Sequence, residues 1–168
     1  LYIADSYNHK IRRVDTNGII TSFAGLTMTS SWGSVIGGYY GNGGPATNAQ
    51  FRCPQGITFD RQGNLYVADT GNHLIRRIAT NGIVTLFAGR YVTTKAGYAQ
   101  GGFSGDNGPA TNAQFNSPTA LQFDSGGNLF IQDYNNFRVR RIGTNGIVTT
   151  LAGNGLKEVA NTDGQLAT

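Results

Sequence analysis

Two histidines, one cysteine and three pairs of adjacent arginines are the residues of this 168-residue chain whose types and spacing bear on chemistry. His9 and His73 occupy matching places in a recurring pattern, and the third copy carries Phe137 there. A catalytic base has no reason to recur once per copy, so these histidines read as packing residues at the start of a strand. A metal centre needs several His, Cys or carboxylate ligands converging on one point, and two His and one Cys are too few. Cys53 falls opposite Ser117 and reads as small filler. As the lone cysteine it excludes an internal disulfide. No phosphate loop, nucleophile elbow or dinucleotide fingerprint occurs. No catalytic residue and no cofactor are therefore expected.

The arginine pairs Arg12-Arg13, Arg76-Arg77 and Arg140-Arg141 recur at intervals of 64 residues, and Asp5, Asp69 and Asp133 recur with them. Adjacent strand residues face opposite sides, so each pair offers one guanidinium to each face and forms no one-sided basic patch. The expectation is a structural Arg–carboxylate bridge among Asp5, Arg12, Asp69, Arg76, Asp133 and Arg140, strong where it is partly buried. An RNA surface would show basic loops with aromatics for base stacking. Here one loop holds Arg90 and Lys95, and the stretch from Leu26 to Asn48 holds no basic residue. Asp60 and Asp124, each in Asp-x-x-Gly-Asn, supply one carboxylate per turn and read as side-chain-closed turns, not as calcium loops.

These residues sit on a repeat. Laid without gaps, residues 1–64 and 65–128 match at 35 of 64 positions, and Gly44 to Phe51 recurs letter for letter at Gly108 to Phe115. Gly164 to Thr168 resembles the same block beginning a third time, which divides the chain as 1–64, 65–128 and a partial 129–168. Within a unit the signals are β. Gln55–Asp60, Leu65–Asp69, His73–Ile78 and Ile83–Ala88 read as four antiparallel strands, with Asn81-Gly82 marking a hairpin. A helical turn is expected over Asn112–Phe115, behind Pro109. The second and fourth strands are apolar at nearly every position, so both faces need cover, and a stack of such sheets supplies it. The 25 glycines and 13% charged residues suit this turn-rich β reading and disfavour a helical bundle. No apolar run approaches the roughly 18 residues that span a bilayer.

Asn72-His73-Leu74-Ile75-Arg76-Arg77 with Asn81-Gly82-Ile83, and Pro54, Gly56-Ile57, Asp60 and Gly63 to Asp69, make the chain resemble the NHL-repeat family. The first copy reads Asn8-His9-Lys10 and the third Asn136-Phe137-Arg138, so the eponymous letters are not all kept. The resemblance implies an all-β β-propeller of four-stranded antiparallel blades. About three blades are present, an incomplete ring. It also spans several functions, including adhesion propellers, RNA-binding proteins and lyases. Between the blades lie the spacers Leu26–Tyr40 and Arg90–Phe103, which carry Trp32, Tyr39, Tyr40, Tyr91, Tyr98 and Phe103 among Gly, Ser and Thr. Aromatics on such loops suit protein or glycan contacts. The function expected is a non-enzymatic interaction or structural module, extracellular or at the cell surface. Its partners are a protein or glycan, and further repeats or copies of itself that complete the ring or extend a filament. No membrane insertion is expected. The alternatives are an RNA-binding propeller and a metal-dependent propeller lyase.

Overall fold

In the computed structural model, residues 1–157 are described. The suspected third block at Gly164–Thr168 lies outside them. The described residues form fourteen strands: β1 Tyr2–Asp5, β2 Lys10–Val14, β3 Ile20–Ala24, β4 Met28–Thr29, β5 Val35–Ile36, β6 Ile57–Phe59, β7 Leu65–Asp69, β8 Leu74–Ile78, β9 Val84–Ala88, β10 Gly108–Pro109, β11 Pro118–Phe123, β12 Leu129–Asp133, β13 Arg138–Ile142 and β14 Ile147–Ala152. They assemble into antiparallel sheets in the orders β1-β2-β3 (sheet I), β6-β7-β8-β9 (sheet II) and β10-β14-β13-β12-β11 (sheet III), with β4-β5 as a separate hairpin. Among the described residues there is no α-helix, only single 3-10 turns.

The period-2 alternation of β7 shows why the sheets stack. Leu65 and Val67 face one way and join Ile78, Val84 and Phe51 in a core shared with Ile11 and Ala24 of sheet I. Tyr66 and Ala68 face the other way and join Ile75 and Ala88 in a core shared with Leu129 and Ile131 of sheet III and with Phe115 of the linker before it. In structural terms, repeats I, II and III are each sheet together with the linker that leads into it. Sheet II is thus covered on both faces, which is why β7 and β9 carry apolar side chains at most positions.

The repeated octapeptide is built differently from the sequence expectation. Its helical turn is a 3-10 turn at Ala110–Asn112, and at Ala46–Asn48 in the earlier copy. Ala113 is extended, at φ −70° and ψ 152°, so Asn112–Phe115 does not form the expected turn. Pro109 stands just before the turn in an extended conformation, and Gly108 and Pro109 pair with Val148 and Ile147 as a fifth strand of sheet III. Pro45 repeats this contact with Ile83 as a single bridge on sheet II. The extended exit from the turn delivers Phe51 and Phe115 into the two cores, where both are fully buried. The first spacer contains the β4–β5 hairpin.

The Ala-Gly pair that ends each unit has a geometric reason. Gly89 has φ +98°, and a side chain there would meet Leu74 Cδ2 at 2.7 Å and the His73 carbonyl at 3.1 Å. Only glycine accepts both the left-handed backbone and the close approach.

Candidate functional site

The recurrent Asp and Arg converge in the space between sheets. In repeat II, Asp69 ends β7 and Arg76 lies in the middle of β8, and their side chains are both fully buried with Arg76 Nη1 at 3.4 Å from Asp69 Oδ2. The same carboxylate accepts the backbone N–H of Arg52 at 2.7 Å and the Asn72 amide at 2.9 Å. Asn72 also donates to the Gly38 carbonyl in the spacer, and Arg76 donates to the Gln50 carbonyl in the octapeptide. One buried cluster therefore pins strand, turn, spacer and linker together. Repeat III repeats it: Arg140 contacts Asp133 at 3.3 Å, Asn116 N–H and Asn136 donate to Asp133, and Asn136 donates to the Gly102 carbonyl. In repeat I, Arg12 lies 3.5 Å from Asp5, and both are about a quarter exposed.

Burial pushes Asp69 up to about 6, against the pull of Arg76, the Arg52 N–H and Asn72. Asp133 is raised for the same first cause. A carboxyl whose folded value lies above its ordinary value contributes least when ionised. Its contribution falls as pH rises from about 4 toward about 6. The ion pair thus offsets its own desolvation only in part, as buried pairs commonly do.

The spacer aromatics divide into two groups. Tyr39 stacks on Tyr91 with ring centres 4.1 Å apart and lies 5.0 Å from the Arg76 guanidinium, while Phe51 lies 5.2 Å from it. Phe103 lies 4.8 Å from Arg140 and 3.8 Å from Arg138. Tyr39, Tyr91 and Phe103 are therefore engaged in holding the spacers on the sheets. Trp32, Tyr40 and Tyr98 are exposed, Trp32 almost completely at the turn joining β4 and β5.

Sequence reasoning missed Asp106. Its Oδ1 lies 2.7 Å from Arg140 Nη2, and Oδ2 accepts the Thr150 hydroxyl. Repeat II has Asn42 and Leu86 at these places, and Arg76 Nη2 is buried there without a partner. The signal was present as an Asp106/Asn42 difference between copies. Asn42→Asp combined with Leu86→Thr is expected to raise the unfolding free energy by about 1–2 kcal/mol, from an ion pair to Arg76 and a hydroxyl-to-carboxylate hydrogen bond like that of Thr150 with Asp106. Urea denaturation of the protein checks it, and an unchanged midpoint would show that Arg76 Nη2 needs no partner.

The histidines do more than pack. His9 and His73 lie just before β2 and β8, in left-handed conformation at φ 56° and 59°. His73 Nδ1 accepts the Ser117 backbone N–H at 2.9 Å, and His9 Nδ1 accepts the Cys53 N–H at 3.0 Å. Each ties its repeat to the next, at a residue that is itself at positive φ. Phe137 occupies the third such position and has no acceptor to offer. Only a neutral imidazole accepts at Nδ1. Burial, with Arg52 beside it, lowers the His73 pKa. A depressed histidine contributes stability that is complete above its ordinary value of about 6.5 and is lost as pH falls. His73→Asn keeps a residue that tolerates the left-handed backbone and does not titrate. Between pH 7.5 and 5 it is expected to lose about 1 kcal/mol less stability than the parent protein, measured by urea denaturation at both values.

Asp60 and Asp124 close their own turns, as Asp60 Oδ1 accepts the N–H groups of Gln62 and Asn64 and Asp124 Oδ1 that of Asn128. Among the described residues, no three His, Cys, Asp or Glu side chains converge on a point. No helix among them is long and apolar enough to cross a membrane.

Stacked antiparallel sheets, each with its Arg–Asp pair, buried in sheets II and III, define a β-propeller arrangement that forms an incomplete ring. Residues 51–78 match the profile of the NHL repeat. NHL repeat-containing protein 2 of Gallus gallus is 40% identical over 77 residues, which are 45% of this chain and 10% of that protein. Protein SUPPRESSOR OF QUENCHING 1, chloroplastic, of Arabidopsis thaliana is 32% identical over 148 residues, 86% of this chain and 13% of that protein. The chain thus spans only a small part of these relatives. An auxiliary nutrient binding protein from Bacteroides thetaiotaomicron superposes with a TM-score of 0.62 at 23% identity, over 84% of this chain and 34% of that one. The chain carries NHL repeats. The three letters have distinct tasks in its middle copy: Asn72 anchors the carboxylate and spacer, His73 holds the next repeat, and Leu74 fills the core.

Proposed function

We propose that the chain is a non-enzymatic binding module, extracellular or at the cell surface, whose spacer aromatics contact a protein or glycan. The observation that carries this is Trp32, 92% exposed at the tip of an ordered hairpin. A large apolar ring held out on structured backbone suits a contact surface. Tyr40 and Tyr98 are exposed on the same spacers. The RNA reading is weakened because Arg76 and Arg140 are fully buried and closed to phosphates. Labelled protein should bind cell surfaces or a glycan array, and Trp32→Ala with Tyr40→Ala and Tyr98→Ala should abolish binding without changing the melting temperature. Undiminished binding by the triple variant would refute the reading.

A second reading, contact with further repeats or copies of the chain, rests on the outer face of sheet I. Leu1 is 79% exposed where its counterpart Leu65 is 1% exposed, and Ile3 is 37% exposed where Val67 is fully buried. Equivalent apolar positions are covered in one sheet and open in the other. Ile3→Lys is expected to reduce self-association in sedimentation experiments. A parent protein that is monomeric at all concentrations would remove the contact between copies.

A further inference from the structure

A slot of about 530 Å³ opens between sheets II and III, at the end where β7 and β12 finish. Gln55 and Thr70 line it from repeat II, and Thr119, Gln132, Tyr134 and Asn135 from repeat III. None of these residues belongs to the spacers. No lining side chain is an acid or a base, and each can both donate and accept a hydrogen bond. Part of that capacity is used to shape the slot. Thr70 donates to the Pro118 carbonyl across the two sheets, Thr119 donates to Gln132 Oε1, and Asn135 donates to Ser117 Oγ. The remainder is unused: Gln132 Nε2 keeps its donors, and the Gln55 amide and Tyr134 hydroxyl have no protein partner among the described residues. Tyr134 is itself 55% exposed.

We propose that this slot binds a neutral, hydroxyl-rich ligand, the terminal one or two sugar units of a glycan. The argument is chemical. An ionic ligand would leave water for a site that offers no counter-charge. An apolar ligand would strip water from amides and hydroxyls without replacing it. Sugar hydroxyls donate and accept together, as every lining group does, and an aromatic ring at the rim suits the apolar face of a pyranose. The hydrogen bond from Thr70 to Pro118 fixes the two walls relative to each other, so the ligand meets a preformed site.

The inference stands on residues separate from the exposed spacer aromatics, and the experiment distinguishes the two. Saturation-transfer NMR on the protein with lactose, maltose, cellobiose and chitobiose as probes should detect at least one of them. Gln132→Ala and Tyr134→Ala should each weaken the dissociation constant at least tenfold, and Thr119→Trp should abolish binding by filling the slot. Trp32→Ala should leave it unchanged. Should a slot variant fail to fold, the probe must instead shift the Tyr134 ring resonances of the parent protein. Absence of binding by all four sugars, or binding unaffected by the slot variants, overturns the proposal. Loss of sugar binding on Trp32→Ala alone also overturns it, and leaves the spacer reading intact.

Discussion

Arg140→Ala is expected to lower the unfolding free energy by about 3–5 kcal/mol, whereas Arg12→Ala should cost no more than about 1 kcal/mol. The two arginines are equivalent by sequence and differ in what surrounds them. Arg140 is fully buried and touches Asp133, Asp106 and the Gln114 and Ser104 carbonyls. Its removal strands a buried carboxylate and two carbonyls away from water. Among the described residues Arg12 has only Asp5 and the Thr21 carbonyl, and solvent reaches the pair. The deficit of Arg140→Ala should shrink on acidification. Without the guanidinium, the already raised Asp133 carboxyl rises further, so the variant is penalised most where that group must ionise and least where it is protonated. Urea denaturation at pH 5 and pH 8 tests this. Equal losses for Arg140→Ala and Arg12→Ala would show that burial does not set the strength of the pair.

The repeat made much of this legible. A 64-residue recurrence of Arg-Arg with Asp placed the pairs on strands, and strand parity put one arginine of each on each face. Parity alone does not say which face is covered. That depends on the neighbouring sheet, so Arg76 and Arg12 look alike in sequence and differ in the fold. The second role of the histidines was not legible for a related reason. His9 and His73 have the composition of a strand start, but their left-handed backbone turns Nδ1 toward the following repeat, and nothing within one repeat reveals an acceptor aimed at the next. Asp106 sits in a Gly-Asp-Asn-Gly turn and its contact with Arg140 crosses 34 residues, so only the contrast with Asn42 in the other copy marks it. The spacer aromatics show the limit most clearly: Tyr39 and Tyr40 are adjacent and aromatic, yet one stacks on Tyr91 and approaches Arg76 while the other faces solvent. Stacking partners supplied by a second spacer are not readable from the first.

The largest single-residue packing effect is expected at Phe115. The octapeptide Gly108 to Phe115 is held at several places. Gly108 and Pro109 pair with β14 of its own repeat, while the N–H groups of Gly89 and Arg90, at the end of the preceding repeat, donate to the Ala110 and Ala113 carbonyls. It therefore works as a wedge between two repeats, and Phe115 is its inward end. The ring is 1% exposed, lies in the core shared by sheets II and III, and sits 5.2 Å from the Arg140 guanidinium. Phe115→Ala is expected to cost about 3–5 kcal/mol, from lost transfer free energy and the cavity left behind. The loss should couple to Arg140. With the ring gone, water reaches the guanidinium, and the penalty for removing Arg140 falls. The double variant should then be destabilised by less than the two single losses added, by about 0.5–3 kcal/mol as for residues in contact. Phe115→Leu should recover part of the loss through its apolar volume. Strict additivity of Phe115→Ala and Arg140→Ala in a urea denaturation cycle would show that the ring and the ion pair stabilise the junction independently, and would remove the wedge as the element that seals it.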